Sequence, residues 1–324
     1  MNKHTRVLNA MKQKTVDRVP VAFYTHFMTP EAQKNNTVPE QIAWFEECNM
    51  DCLCIETDGY MQYPKGGDVG RISDWKGIRN LPKDHAYFCG QVDRAKRIRE
   101  GIRDGAVFYM LFTPFSTIKH TIDSEKGIMD FYREDKEILA EAMKVIEEDT
   151  FRLADRIMGE TGIDGLFVSL QNAGVDKFTG EEYTEYLRPW DMRLLTHVNS
   201  LSEYNIVHMC SWTGIPNRLE LWRDYDYQTV NWAVNVEKNL DMRRARSYFR
   251  PGTTLMGGFD NRPQGVLYKG SEEEIKAYTK GQLDLAGEVG TILCGDCSLQ
   301  MDQSRKKVRY VVEACREYAS EHRK

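Results

Sequence analysis

Several features are missing from this chain of 324 residues, and each absence excludes a class of protein. No apolar run approaches the roughly 20 residues that a membrane-spanning helix needs. The N-terminus, Met1-Asn2-Lys3-His4-Thr5-Arg6, runs into mixed polar sequence without the apolar core and small-residue cleavage site of a secretory signal, so a cytoplasmic location is expected. There is no basic surface in the composition: the net charge is −5 and the pI near 5.9, with Lys and Arg scattered apart from short runs such as Arg305-Lys306-Lys307. Those runs read as solvated helix faces, and nucleic acid, which needs many cationic contacts to phosphate, is not an expected partner. No Ser/Gly/Pro-rich linker divides the chain and no internal repeat is visible. Eight cysteines at 48, 52, 54, 89, 210, 294, 297 and 315 lack the context of a disulfide framework and read as thiols, most of them packing residues.

What is present is an alternation. Apolar, β-branched or aromatic runs bounded by turn residues fall at Val19–Tyr24, Asp51–Glu56, Ala106–Phe112, Gly165–Leu170, Asn205–Cys210, Tyr227–Ala233, Thr253–Phe259 and Gly290–Cys294. Amphipathic spacing predicts helices over Glu40–Cys48, Arg94–Arg103, Lys136–Met158, Gly180–Ser202, Ile215–Trp222, Val236–Tyr248 and Ser271–Ala286, with a last one over about 303–321. Near-continuously apolar strands alternating with helices imply a parallel sheet covered on both faces. Eight such units predict an α/β fold: a single (β/α)8 TIM barrel covering residues 1–324, with a leading helix over Thr5–Lys14. A long insertion after the second strand, residues 57–91, is Gly- and aromatic-rich and would form a lid or wall over the mouth.

In such a barrel the residues at strand C-termini line the mouth. These ends supply Tyr24 and His26, Glu56 and Asp58, Thr113 to Phe115, Gln171 and Asn172, His208 and Cys210, Asn231, Asp260 and Asn261, and Asp296 and Cys297. On a strand, residues i and i+2 share a face, so His208 and Cys210 converge. With Cys297 they would make a Cys₂His set, the donors of a zinc site that keeps one position open. A buried cysteine is ordinarily a small hydrophobe, and Cys294-Gly-Asp-Cys297 is formally a redox Cys-x-x-Cys, although no helix start follows it directly. The aromatic residues Tyr24, Phe27, Tyr60, Tyr63, Phe115, Trp212 and Trp232 would suit an aryl methyl ether or a flat cofactor, or would simply pack the barrel loops.

The chain resembles the uroporphyrinogen decarboxylase superfamily, and within it the zinc-dependent, corrinoid-linked methyltransferases. The resemblance is carried by Arg6-Val-Leu-Asn-Ala-Met11 with Val16-Asp-Arg-Val-Pro-Val21, by Thr113-Pro-Phe-Ser116, by Gly257-Gly-Phe-Asp-Asn261 and by Gly270-Ser-Glu-Glu-Glu-Ile275. The family's transferases carry His-x-Cys at one strand end and a Cys near the last, which fall on His208, Cys210 and Cys297. The decarboxylases instead need an N-terminal arginine cluster, and Tyr24-Thr-His-Phe-Met-Thr29 contains none.

The resemblance implies a zinc enzyme moving a methyl group between a small methylated substrate, or a thiol, and a corrinoid (cobalamin) carried by a separate protein. Tyr24, His26, Gln171, Asn172 and Asp260 are the candidates for orienting substrate. Two departures stand out. Ser211-Trp212 follow the His-x-Cys where the family has Gly, and Asn231 stands where some members add a carboxylate ligand. The fourth zinc position would then fall to water, substrate, Glu56 or Asp296. A porphyrinogen-type decarboxylase and a non-catalytic corrinoid- or thiol-binding protein are the alternatives, and a homodimer is left open.

Overall fold

The parallel strands follow one another in space as they do in sequence. The computed structural model describes residues 1–237 and 239–322, so position 238 of the expected helix Val236–Tyr248 lies outside the described residues. Among the described residues the sheet has seven strands, β1 (Cys52–Ile55), β2 (Ala106–Phe112), β3 (Gly165–Leu170), β4 (Ile206–Met209), β5 (Thr229–Trp232), β6 (Thr254–Phe259) and β7 (Thr291–Gly295). Each pairs with the next in order β1 to β7, all parallel.

Side chains alternate along these strands as a pleat requires. Cys52, Cys54, Phe108, Met110, Phe167, Ile206, Met256, Ile292 and Cys294 form one buried cluster inside the curl, together with Tyr24 and the leading helix Lys3–Met11. Leu53, Ile55, Val107, Leu111, Val168, Val207, Val230, Leu255 and Leu293 point the other way into a larger cluster with the surrounding helices. Both faces are therefore dry, which is why the strands read as continuous apolar runs.

The eighth strand expected at Val19–Tyr24 is not a regular strand. The segment nevertheless touches both edges of the sheet: Ala22 N donates to Leu293 O and Leu293 N to Pro20 O, each at 2.9 Å, while Asp51 N donates to Val21 O at 2.9 Å. Only isolated bridges form, Val21 with Leu293 and Thr25 with Leu299. Pro20 has no N–H to give, and Phe23 N–H points at the Met50 sulfur, 3.1 Å away, so the ladder is interrupted.

Three expected helices also change. Ile215–Trp222 shrinks to a single turn, Leu219–Leu221. Val236–Tyr248 is helical only over Met242–Tyr248, starting after the Asp241 cap. Gly180–Ser202 is broken by a wider turn at Tyr183–Leu187, where Pro189 removes the amide that would have bonded the carbonyl four residues back. Two helices, Pro114–Ile122 and Glu125–Glu134, occupy a stretch in which none was expected.

The 57–91 insertion is anchored against the body of the fold. Buried Asp149, on the long helix Lys136–Thr161, accepts from Tyr63 O–H at 2.6 Å, Leu81 N at 2.9 Å and Asn80 Nδ2 at 3.1 Å. Buried Arg94 donates to Glu56 O at 3.0 Å and to Asp58 O, fixing the backbone where β1 ends. Among the described residues no helix is long and apolar enough to cross a membrane.

Candidate metal centre and cavity

Strands β4 and β5 are in register at His208 and Asn231, and this neighbouring pair organises the site. Asn231 Nδ2 donates to Met256 O at 2.9 Å and to Gly295 O at 3.0 Å, and both of these groups can only accept. The amide oxygen must therefore face the other way, where it lies 2.6 Å from His208 Nδ1 and accepts the Tyr24 hydroxyl at 3.0 Å. His208 Nδ1 accordingly carries the hydrogen, and the free lone pair sits on Nε2. Phe167 stacks on the imidazole at 5.4 Å and holds its plane.

Nε2 lies 3.6 Å from Cys297 Sγ, and Cys297 Sγ lies 3.9 Å from Cys210 Sγ. All three donor atoms fall within 4.8 Å of one another and are buried. A tetrahedral zinc with Zn–S of about 2.3 Å and Zn–N of about 2.0 Å has donor-to-donor edges of roughly 3.5 to 3.8 Å. The spacing of the three side chains thus fits such an ion. The thiols are also unequal. The hydrogen bond from Cys297 and the neighbouring imidazole hold Cys210 well below the usual thiol range, whereas that same contact and burial push Cys297 up.

Cys294 does not join them. It is packed inside the sheet with Cys52 and Cys54, and burial raises its thiol, so Cys294 and Cys297 do not form the dithiol that their spacing suggested.

A cavity of about 420 Å³ opens over the three donors. Tyr24, His26 and Gln171 line it as expected, as do Glu56 and Trp212. Asn172 and Asp260 do not. Asn172 has φ 90°, and its side chain turns to Ser116 Oγ at 3.0 Å. Asp260 is clamped by Arg262 at 2.7 and 2.9 Å, and Asn261 lines the cavity in its place. Asp296 is likewise engaged, accepting from Asn235 N at 2.7 Å. Of the aromatic residues, Phe115, Tyr63 and Trp232 pack in the core, while Trp212 is 56% exposed at the rim.

The far end of the cavity was not anticipated. Thr113 caps the helix Pro114–Ile122, which carries Lys119 and His120 inward. Lys119 Nζ and His120 Nε2 both donate to Gln171 Oε1, at 2.5 and 3.1 Å, and Lys119 pairs with Glu125 at 2.8 Å. Burial and the adjacent Lys119 push His120 down to about 4, so at neutral pH it is an uncharged donor. Thr113-Pro114, an N-cap followed by proline in the first turn, is the sequence signal that marks this helix.

His26 and Glu56 face each other at the other side. His26 Nδ1 donates to Asp58 at 2.7 Å and lies 3.8 Å from Glu56 Oε2. Burial works against the imidazolium, yet Glu56 and Asp58 raise His26 to about 9. Burial lifts Glu56 to about 7.

Residues 71–318 match the family described as uroporphyrinogen decarboxylase (URO-D). The chain belongs to the uroporphyrinogen decarboxylase family. Its sequence relatives include a methylcobamide:CoM methyltransferase, MtbA, of Methanosarcina mazei, 26% identical over 50% of this chain and 44% of that protein. The enzyme of the same name from Methanosarcina acetivorans is 23% identical over 97% of both chains. Among solved structures, a methyltransferase from Methanosarcina mazei superposes with a TM-score of 0.72 at 18% identity, covering 98% of this chain and 99% of the other. A B12-independent methionine synthase from Shewanella, solved with selenomethionine, superposes at 0.58 and 13% identity, covering 94% and 98%. At these identities the structural likeness is one of fold.

Proposed function

We propose that this member of the uroporphyrinogen decarboxylase family is a zinc-dependent methyltransferase. It would pass a methyl group between a small methylated substrate, or a thiol, and a corrinoid held by a separate protein. The observation that carries the reading is the trio His208, Cys210 and Cys297, whose spacing suits a tetrahedral ion and whose imidazole is oriented by Asn231. The two MtbA relatives, named for transfer from a methylated cobamide to CoM, support the direction of the chemistry. The same reading takes residues 1–324 as one unit and the 19–25 segment as the closing stave of an eight-stranded barrel.

When bound, zinc supplies a Lewis acid that favours the ionised form of a thiol or leaving group, and the corrinoid supplies or receives the methyl group. The remaining tasks fall to the chain. Asn231 keeps the proton on His208 Nδ1 so that Nε2 stays available. Met110 and Phe112 keep the cavity wall apolar, and Gln171, held by Lys119 and His120, presents its amide to a substrate end. Trp212, Met28, Val175 and Met301 are large, exposed apolar side chains in the loops that follow the 19–25 segment, β3, β4 and β7. Such a rim suits coverage by a partner protein.

The test is zinc content and methyl transfer from methylcobalamin to a thiol, in the wild type and in His208→Ala, Cys210→Ser and Cys297→Ser. Loss of both zinc and transfer in the variants is expected. Full zinc occupancy in all three variants would sink the proposal, and turnover without metal would favour a decarboxylase.

A further inference from the structure

The carboxylates around the cavity differ in one respect. Asp58 accepts from His26 and from Phe27 N at 2.6 Å, Asp260 from Arg262, and Asp296 from Asn235, while Glu125 is ion-paired with Lys119 and Lys177 and Asp123 is exposed to solvent. Glu56 is 1% exposed and lines the cavity, yet neither of its oxygens accepts a hydrogen bond among the described residues. His26 stands 3.8 Å from Oε2 but gives its hydrogen to Asp58. Arg94 reaches only the Glu56 backbone carbonyl. A buried carboxyl group left without donors costs free energy, and an active-site cavity is where a ligand supplies the missing partner.

Glu56 is not itself part of the donor cluster. Among the described residues the cluster comprises His208, Cys210 and Cys297. The three donors and the Glu56 carboxylate thus line the same cavity.

We infer that Glu56 is the base that receives the proton of an incoming thiol, a role that rests on the methyltransferase reading. As the thiol docks beside Cys210 and Cys297, its S–H bond breaks. The proton passes to a Glu56 oxygen and the electron pair stays on sulfur. The sulfur then takes the methyl group of a methylcorrinoid, and the electron pair of the broken Co–C bond remains on cobalt. His26, held by Asp58, stabilises Glu56 as a carboxylate beforehand, and the His26–Glu56 pair retains the proton afterwards.

The experiment compares zinc-loaded wild type with Glu56→Gln, with Glu56→Ala as a second variant. Zinc content and unfolding midpoint are measured first for each protein. Protons released on thiol binding are then counted near pH 8 by calorimetry in buffers of different ionisation enthalpy. The wild type is expected to release clearly fewer protons than either variant, because a thiolate bound nearby raises the Glu56 carboxyl above about 7 and draws a proton back onto it, whereas both variants release about one per thiol.

Methyl transfer from methylcobalamin gives the second readout. With an alkanethiol, protonated at that pH, Glu56→Gln is expected to be slower by about 10²-fold, whereas with an arenethiol that arrives already ionised the loss should stay within about threefold. Equal proton counts in wild type and variants, or equal losses with both thiols, would overturn the role of Glu56. A wild type with the expected proton count that transfers no methyl group would overturn the methyltransferase reading and leave Glu56 as the thiol's base.

Discussion

Strand β1 carries a buried carboxylate at each end, and the two are treated in opposite ways. Asp51, just before the strand, is saturated: it accepts from Arg6 Nη1 at 2.7 Å, from Arg18 at 2.7 and 2.8 Å and from Val21 N at 2.9 Å. Glu56, just after the strand, is equally buried and accepts no hydrogen bond among the described residues. The strand is four residues long, so the sheet holds both groups in one rigid frame. The difference is one of purpose. At the N-terminal face of such sheets charge is used to lock the fold, and at the C-terminal face it is left available for chemistry.

The largest effect that tests this contrast belongs to the C-terminal face. Replacing Cys210 or Cys297 by Ser is expected to lower methyl transfer by at least about 10³-fold, roughly 4 kcal/mol of activation free energy, with little change in the urea unfolding midpoint of the metal-free protein. A large drop in that midpoint would mean that the thiols are packing residues after all.

Asp51→Ala should do the reverse. It strands the Arg18 guanidinium, which is 4% exposed, and leaves Arg6 with Asp17 as its remaining carboxylate, and is expected to cost about 3–5 kcal/mol of stability. Denaturant unfolding at unchanged slope measures the loss. Zinc bound per folded molecule should remain at the wild-type level, since the donors sit at the other end of the sheet. If Asp51→Ala lost zinc while folded, the two faces would not be independent.

Much of the fold and of the candidate site could be read from the sequence, and the parts that could not have physical reasons. Ala106–Phe112 and Gly165–Leu170 were legible because long apolar runs between turn residues leave few alternatives. His208, Cys210 and Cys297 were legible because alternation on a strand fixes which side chains share a face. Val19–Tyr24 misled because its composition is that of a strand, while Pro20 and the Phe23–Met50 contact deny it a ladder. Lys119 and His120 were hidden by β-branched residues in Phe115-Ser-Thr-Ile-Lys-His-Thr-Ile122, which masked a helix that the Thr113-Pro114 cap announces. Asn172 and Asp260 were named by counting from strand ends, and beyond a strand end the count no longer says which way a side chain points. Asn231 was read only as a failed ligand. Its role depends on β5 lying beside β4 in a particular register.

That register makes a prediction of intermediate size. Asn231→Ala removes the acceptor that keeps the hydrogen on His208 Nδ1, and frees the Met256 and Gly295 carbonyls. Zinc affinity is expected to fall by about 10- to 100-fold, as for other residues that orient a metal-bound imidazole. Competition with a chelator measures it, and Asn231→Asp, which keeps the accepting oxygen, should recover most of the loss. Equal affinities in wild type and Asn231→Ala would show that packing by Phe167 alone orients the ring.

The smallest effect returns to Glu56, and here the sign distinguishes it from Asp51. Burial raises its folded-state pKa from the ordinary 4.5 to about 7, so the native metal-free protein binds more protons than the unfolded chain between those values. Stability contributed by the protonated group is fully present below about pH 4.5 and is lost as pH rises through 7. Glu56→Gln cannot ionise and escapes that loss. In the metal-free protein at pH 8 it is therefore expected to be more stable than wild type by about 1–3 kcal/mol, with the gain vanishing near pH 4. Unfolding midpoints at the two pH values give the comparison directly. A variant less stable than wild type at pH 8 would mean that the attraction of the His26 imidazolium 3.8 Å away outweighs the cost of burying the carboxylate, and would place Glu56 with Asp51 among the groups that hold the fold.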